Sequence, residues 1–149
     1  MKRAMETATT LRTVVVDDEQ LAREELIFLL GQVGGVEVVA QAGNGLEALR
    51  VIGEHAPELV LLDVQMPGFT GFEVARRMLD AGIESELVFV TAYDQHAIEA
   101  FEVNAVDYLL KPVEVERLEM AIDRVRRRLH TDRPQPRPAP LIRRAEPPP

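Results

Sequence analysis

Leu59-Val60-Leu61-Leu62-Asp63-Val64-Gln65-Met66-Pro67-Gly68 sets four apolar residues, one carboxylate and a turn side by side. A short apolar run bounded by turn signals predicts a strand buried on both faces, so Asp63 is carried to the strand's carboxyl end, where the chain leaves the core. Open α/β sheets gather their chemistry at that edge. An Asp that merely starts a turn would look the same in isolation, so the flanking segments have to decide.

Outward from this stretch the same unit recurs. Thr13 to Val16 is a β-branched run ending in Asp17, Asp18 and Glu19; Ala22, Leu26, Leu29 and Leu30 then form one amphipathic helical stripe, closed by Gly31 to Gly35. Val36 to Ala40 predicts a second strand, Gly43-Asn44-Gly45 a turn, and Leu46 to Gly53 a helix. After the Asp63 strand comes a helix from Thr70 to Leu79, then a strand Leu87 to Val90 ending in Thr91-Ala92, then a helix with Ala97, Ala100 and Phe101 on one face. A fifth strand, Asp107 to Leu110, ends in Lys111-Pro112, and Leu118, Ile122, Val125 and Leu129 mark the last helix. Five buried strands alternating with five helices predict a parallel sheet with right-handed crossovers and helices on both faces.

Composition limits what such a chain can do. Its 149 residues, 46% of them hydrophobic, suit one domain with a single aliphatic core, and the lack of cysteine excludes disulfides, thiolate chemistry and cysteine zinc sites. No apolar run approaches the roughly 18 residues of a membrane span and the polar N-terminus is no signal peptide, which points to a cytoplasmic protein without membrane contact. The net charge of −8 is unevenly spread: residues 13 to 123 hold 22 acids and 6 bases, whereas residues 124 to 149 hold 2 and 8. An acidic domain repels phosphate backbones, so the domain itself is not expected to bind nucleic acid. The run Arg124, Arg126, Arg127, Arg128 is expected to be a solvated helix end that complements the dipole. His55, His96 and His130 show no metal-site spacing. From Thr131 to Pro149 seven of nineteen residues are proline, an extended linker or tail. The expected division is a flexible arm over 1–11, one domain over 12–130 and the Pro-rich segment over 131–149.

Parallel strands put all their carboxyl ends on one edge, which assembles Asp17, Asp18, Glu19, Asp63, Thr91 and Lys111. Each alone has an ordinary explanation as a cap or loop residue. Together they ask for a cation, because two carboxylates about 4 Å apart repel by roughly 4 kcal/mol at an effective dielectric of 20. Magnesium accepts a few carboxylates with water and substrate phosphate, and would leave Asp63 free to attack phosphorus while Thr91 and Lys111 hold the other phosphoryl oxygens.

VVVDDE, LVLLDVQMPGFTGFE, VFVTAY and DYLLKP, in this order and spacing, resemble the receiver domain of bacterial two-component response regulators over roughly residues 12 to 130. The resemblance implies a flavodoxin-like (βα)5 three-layer sandwich with a five-stranded parallel sheet of order 2-1-3-4-5. It implies that Asp63 accepts a phosphoryl group from a sensor histidine kinase, and that Mg2+ (or Mn2+) is held by Asp17, Asp18, Asp63 and the backbone carbonyl of Gln65. It assigns phosphoryl binding to Lys111, ahead of a cis Pro112, and to Thr91. Tyr108 would turn inward as Thr91 moves, altering the surface of the fourth helix, fifth strand and fifth helix through which the family dimerises. Gln65 and Tyr93 would govern water access and so the rate of self-dephosphorylation, the bulk of Tyr93 slowing it. A signalling switch is implied, its only chemistry being phosphorylation and slow hydrolysis of its own side chain.

TAYDQHAIEAFEVNAVDYLLKPV further resembles receivers that precede a LytTR-type DNA-binding domain, so DNA would be reached only through an effector domain absent from this chain. A stand-alone or phosphorylation-independent receiver, acting as an interaction module, is the main alternative. Two remoter readings concern other classes. Gly43-Asn44-Gly45-Leu46-Glu47-Ala48 matches a dinucleotide-binding GxGxxA, but leaves the edge cluster unexplained. A phosphatase with Asp63 as nucleophile would carry a second Asp two residues on, where this chain has Gln65.

Overall fold

The computed structural model describes residues 10–130. Within them the elements run β1 (Leu11–Val16), α1 (Gln20–Val33), β2 (Val36–Ala42), α2 (Gly45–His55), β3 (Leu59–Leu62), α3 (Gly71–Asp80), β4 (Glu86–Thr91), a 3-10 turn (Asp94–His96), α4 (Ala97–Glu102), β5 (Asp107–Leu110) and α5 (Val115–His130). All neighbouring strands are parallel, as the alternation of elements predicts, and their order is β2-β1-β3-β4-β5, the flavodoxin-like arrangement that the receiver resemblance implies. Leu11 opens β1 and is buried, two residues ahead of the expected strand start. The other residues of the expected arm, apart from Thr10, and the Pro-rich segment 131–149 lie outside the described residues.

Two cores flank the sheet. Val15, Leu59, Leu61, Val88 and Leu109 face Leu26 and Leu30 of α1 and Leu118, Ile122 and Val125 of α5. On the other side Val14, Val16, Val60, Leu62 and Phe89 meet Ala48 and Ile52 of α2, Val74 and Met78 of α3, and Ala100 of α4. Every residue of β3 is fully buried, which is why this strand reads as a continuous apolar run with no alternation.

β2 departs from a regular strand. Its pairing with β1 steps from Thr13↔Val38 to Val14↔Ala40, leaving Val39 as an extra residue. The bulge changes which residues face which core: Val36 and Val38 pack toward α1 and α5, whereas Ala40 and Ala42 pack toward α2 and α3. Gln41 is thereby turned to the α1 side.

Helix ends follow their caps. α1 runs through Gly31 and stops at Gly34, whose φ of 83° suits glycine and whose N–H donates to the Leu30 carbonyl at 3.0 Å. Asn44 caps α2 by accepting from the Glu47 N–H at 2.8 Å, and α2 continues past Gly53. Thr70 and Glu73 form a reciprocal capping box on α3, at 3.2 and 2.9 Å.

Two expectations need correction. Of Ala97, Ala100 and Phe101 only Ala100 is buried, with Phe101 74% exposed, because α4 is a six-residue helix that turns Ala100 inward and is followed by buried Val103. The arginine run of α5 is also more than a solvated end. Arg124 donates to Asp107 at 2.8 Å, Arg126 to the Gly35 carbonyl at 2.9 Å, and Arg128 lies 3.7 Å from the buried Glu86 carboxylate. Long guanidinium stems let these side chains reach back to the sheet's amino edge instead of extending into water.

Candidate functional site

The carboxyl edge carries the chemistry. β1 and β3 are adjacent and in register, Val16 opposite Leu62, so the residues that follow each strand, Asp17 and Asp63, emerge side by side. Asp63 N–H donates to the Val16 carbonyl at 3.0 Å, extending the ladder one residue past the strands. Asp17 and Asp63 are 5% and 7% exposed, whereas Asp18 faces solvent. Carboxylate oxygens of Asp17, Asp18 and Asp63 all lie within 4.8 Å of one another. This is an all-oxygen donor set for a hard divalent cation.

Lys111 comes from the end of β5 and completes the cluster. Its ammonium donates to Asp17 Oδ2 at 2.7 Å and to Asp63 Oδ2 at 3.2 Å. The Lys111–Pro112 peptide bond is cis. Burial would push the lysine pKa down, but hydrogen bonding to Asp17 and the charges of Asp63 and Asp17 outweigh it, so the amine is held more firmly protonated than usual. For Asp63 the balance runs the other way. Burial raises its carboxyl above the usual range, with Asp17 adding to the rise, and Lys111 and the Gln65 N–H only partly offset it. The structure therefore brings a carboxyl that is costly to ionise against a fixed cation.

Backbone geometry holds Asp63 in place. The Gln65 N–H donates to Asp63 Oδ1 at 3.3 Å, and Met66 anchors the following loop in the α2–α3 core. Gly71, the first residue of α3, donates its N–H to the Val64 carbonyl at 2.8 Å. A Cβ there would lie 2.2 Å from the Asp63 carbonyl oxygen and 3.0 Å from Val64 Cα, so only glycine lets the helix start this close to the acid.

Thr91, wholly buried at the end of β4, accepts a hydrogen bond from the Tyr93 N–H at 3.4 Å. Tyr93 is 43% exposed, and its carbonyl accepts from the Tyr108 hydroxyl. The Tyr108 ring is half-buried and packs at 6.3 Å from the fully buried Phe89 ring. Thr91, Tyr93 and Tyr108 thus form one linked group beside the acids. Gln65 is exposed at the loop's start. Two contributors escaped the sequence reading. Gly71 was hidden inside a helix-start pattern, and Arg23, whose guanidinium donates to the Asp17 carbonyl at 2.7 Å and to Gln41 Oε1 at 3.0 Å, carried the one available signal: a base within a run of acids.

The sequence pattern described as the response regulator receiver domain matches residues 13–123. An uncharacterized response regulatory protein of Vibrio cholerae is 50% identical over 117 residues, covering 78% of this chain and 49% of the relative. The sensory transduction protein LytT of Oceanobacillus iheyensis is 38% identical over 123 residues, covering 81% and 50%. The chain thus spans about half the length of these curated relatives. Among solved structures, the response regulatory domain of mrkE from Klebsiella pneumoniae superposes with a TM-score of 0.75 at 29% identity, covering 82% of this chain and all of the other. A family match of this extent, on a sheet of this order, makes the chain a member of the response regulator receiver domain family.

Proposed function

We propose that this domain is a phosphorylation switch in which Asp63 accepts a phosphoryl group from a phosphohistidine of a sensor histidine kinase. The observation that carries it is the convergence of three carboxylates and Lys111 on one sheet edge. An Asp63 carboxylate oxygen attacks phosphorus, the P–N bond breaks, and the histidine nitrogen leaves with the electron pair. Asp17, Asp18, Asp63 and the Gln65 carbonyl would hold magnesium, or manganese in its place. The bound ion would supply positive charge to the phosphoryl oxygens as the bond is made. Lys111 then exchanges a carboxylate partner for a phosphoryl oxygen, and Thr91 donates its hydroxyl to another.

Thr91, whose Oγ1 accepts from the Tyr93 N–H, moves toward the phosphoryl group, and Tyr108 follows it inward. The two states need differ by only a few kcal/mol for phosphorylation to select one. The altered surface is α4, β5 and α5, where Ile98, Phe101, Leu110 and Met120 are exposed at 75%, 74%, 46% and 50%. That apolar face supports homodimerisation as the readout. The protein is then a cytoplasmic regulator of transcription, a reading supported by likeness to the transcriptional regulatory protein BtsR of Salmonella typhi, with residues 131–149 leading to a LytTR-type DNA-binding domain in a longer protein. No helix among the described residues is long and apolar enough to cross a membrane. Gln65 and Tyr93 set water access, and the domain's only chemistry is on its own side chain.

The test is intact mass after incubation with acetyl phosphate, with and without magnesium, paired with light scattering. One magnesium-dependent phosphoryl gain, absent in Asp63→Asn, is expected. No gain under any condition would leave a phosphorylation-independent interaction module in its place.

A further inference from the structure

Asp17 follows the last residue of β1, so its carbonyl lies beyond the strand and needs a donor from elsewhere. Arg23, from the first turn of α1, supplies one at 2.7 Å, while its Nε donates to Gln41 Oε1 at 3.0 Å. One planar guanidinium thus bridges the acidic loop to β2. Gln41 is within reach because of the bulge at Val39, since uninterrupted alternation with Val36 and Val38 would put Gln41 on the α2 side of the sheet.

Asp17 is then held at every polar group. Its N–H donates to the Ala42 carbonyl at 3.1 Å, its carbonyl accepts from Arg23, its Oδ1 accepts from the Glu19 N–H at 2.9 Å, and its Oδ2 meets Lys111. Ala42 belongs to β2, Glu19 to the loop itself and Lys111 to the end of β5. Arg23 joins the loop, α1 and β2 through one side chain.

We infer that Arg23 is a positioning residue for the phosphorylation site: through the Asp17 carbonyl and the bulge-presented Gln41 it fixes the acidic loop in its cation-binding shape. The inference rests on the proposed cation site. It requires two donors in one plane, which arginine has and lysine lacks. A purely electrostatic role would make the opposite prediction, because removing a positive charge beside an acidic cluster tightens cation binding.

The experiment titrates magnesium chloride into the full chain by calorimetry and follows exchange of the Glu19 amide in the metal-free protein, for wild type, Arg23→Lys, Arg23→Gln and Gln41→Ala. Arg23→Lys and Arg23→Gln should each weaken magnesium binding by about 5- to 10-fold and speed Glu19 exchange about tenfold, with Gln41→Ala shifting both in the same direction by less. Arg23→Lys indistinguishable from wild type in both readouts, or Arg23→Gln binding magnesium more tightly at unchanged Glu19 exchange, would overturn the inference. A wild-type chain that takes up no magnesium would sink the underlying cation site, and Glu19 exchange would then decide the brace by itself.

Discussion

Replacing Gly71 with alanine tests how tightly α3 is seated on the acid-bearing loop. The added methyl would stand 2.2 Å from the Asp63 carbonyl oxygen and 3.0 Å from both Asp63 C and Val64 Cα, all backbone atoms that cannot rotate away. Ordinary contact needs more than 1 Å of retreat, at an overpacking cost of about 1–3 kcal/mol. Retreat also stretches the 2.8 Å bond from Gly71 N–H to the Val64 carbonyl, worth about 0.5–1.5 kcal/mol. Alanine's better helix propensity returns at most about 1 kcal/mol. The net loss of about 1–3 kcal/mol lowers Tm by roughly 4–10 °C for a domain of this size. Gly53→Ala is the matched comparison, since the same propensity applies at an exposed position with nothing within 4 Å. It should raise Tm by about 2–4 °C. Thermal and urea melts followed by far-ultraviolet circular dichroism measure both. Gly71→Ala as stable as wild type would refute the steric reasoning.

Three further outcomes follow from the same geometry. Asp107 accepts paired hydrogen bonds from Arg117 at 2.8 and 2.9 Å and a third from Arg124; burial alone would raise its carboxyl, but these partners and the Tyr108 N–H hold it below the ordinary value of 3.8. With the folded group titrating below the unfolded one, its stabilisation is complete above the ordinary value and lost as pH falls through the folded value. Asp107→Asn should therefore cost about 1–2 kcal/mol at pH 7, the exposure of both arginines limiting it, and a denaturation series should show the gap to wild type closing in acid. Tyr93→Ala should shorten the phosphoryl lifetime by about 3- to 10-fold through easier water entry, and a lifetime unchanged in a mass time course would contradict the shielding role. Phe101→Arg should leave the phosphorylated protein monomeric by light scattering while phosphorylation itself proceeds.

How much of this was legible depended on whether a signal was local. The apolar runs of β3 and β4 needed only burial on both faces, and the register of β1 with β3 made the convergence of Asp17 and Asp63 a matter of topology. The placement of Phe101 failed because helical periodicity in so short a helix cannot say which face is covered. Gly31 and Gly53 looked like stops, yet α1 and α2 run through them, since an isolated glycine in a packed helix costs only about 1 kcal/mol. The Val39 bulge left no mark in an apolar strand where either phase looks alike. Arg124, Arg126 and Arg128 resembled a solvated terminus because their partners, Asp107, Gly35 and Glu86, come from three distant segments.

Those three arginines also determine where motion can go. α5 leaves the reactive edge just after Pro112, and its 16 residues carry the chain about 24 Å to the opposite edge. There Arg126 and Arg128 fasten it to the loop before β2 and to the start of β4, and Arg124 fastens it to β5. A helix pinned at its far end behaves as a lever with a fixed pivot. A displacement at Lys111 would tilt the near end of α5, which packs beside α1 on this face of the sheet, while the far half from Arg124 to Arg128 stays nearly still. Cutting the pivot should convert the same displacement into movement at the exit, so weakening these arginines would change the direction in which a message is sent without touching the group that receives it.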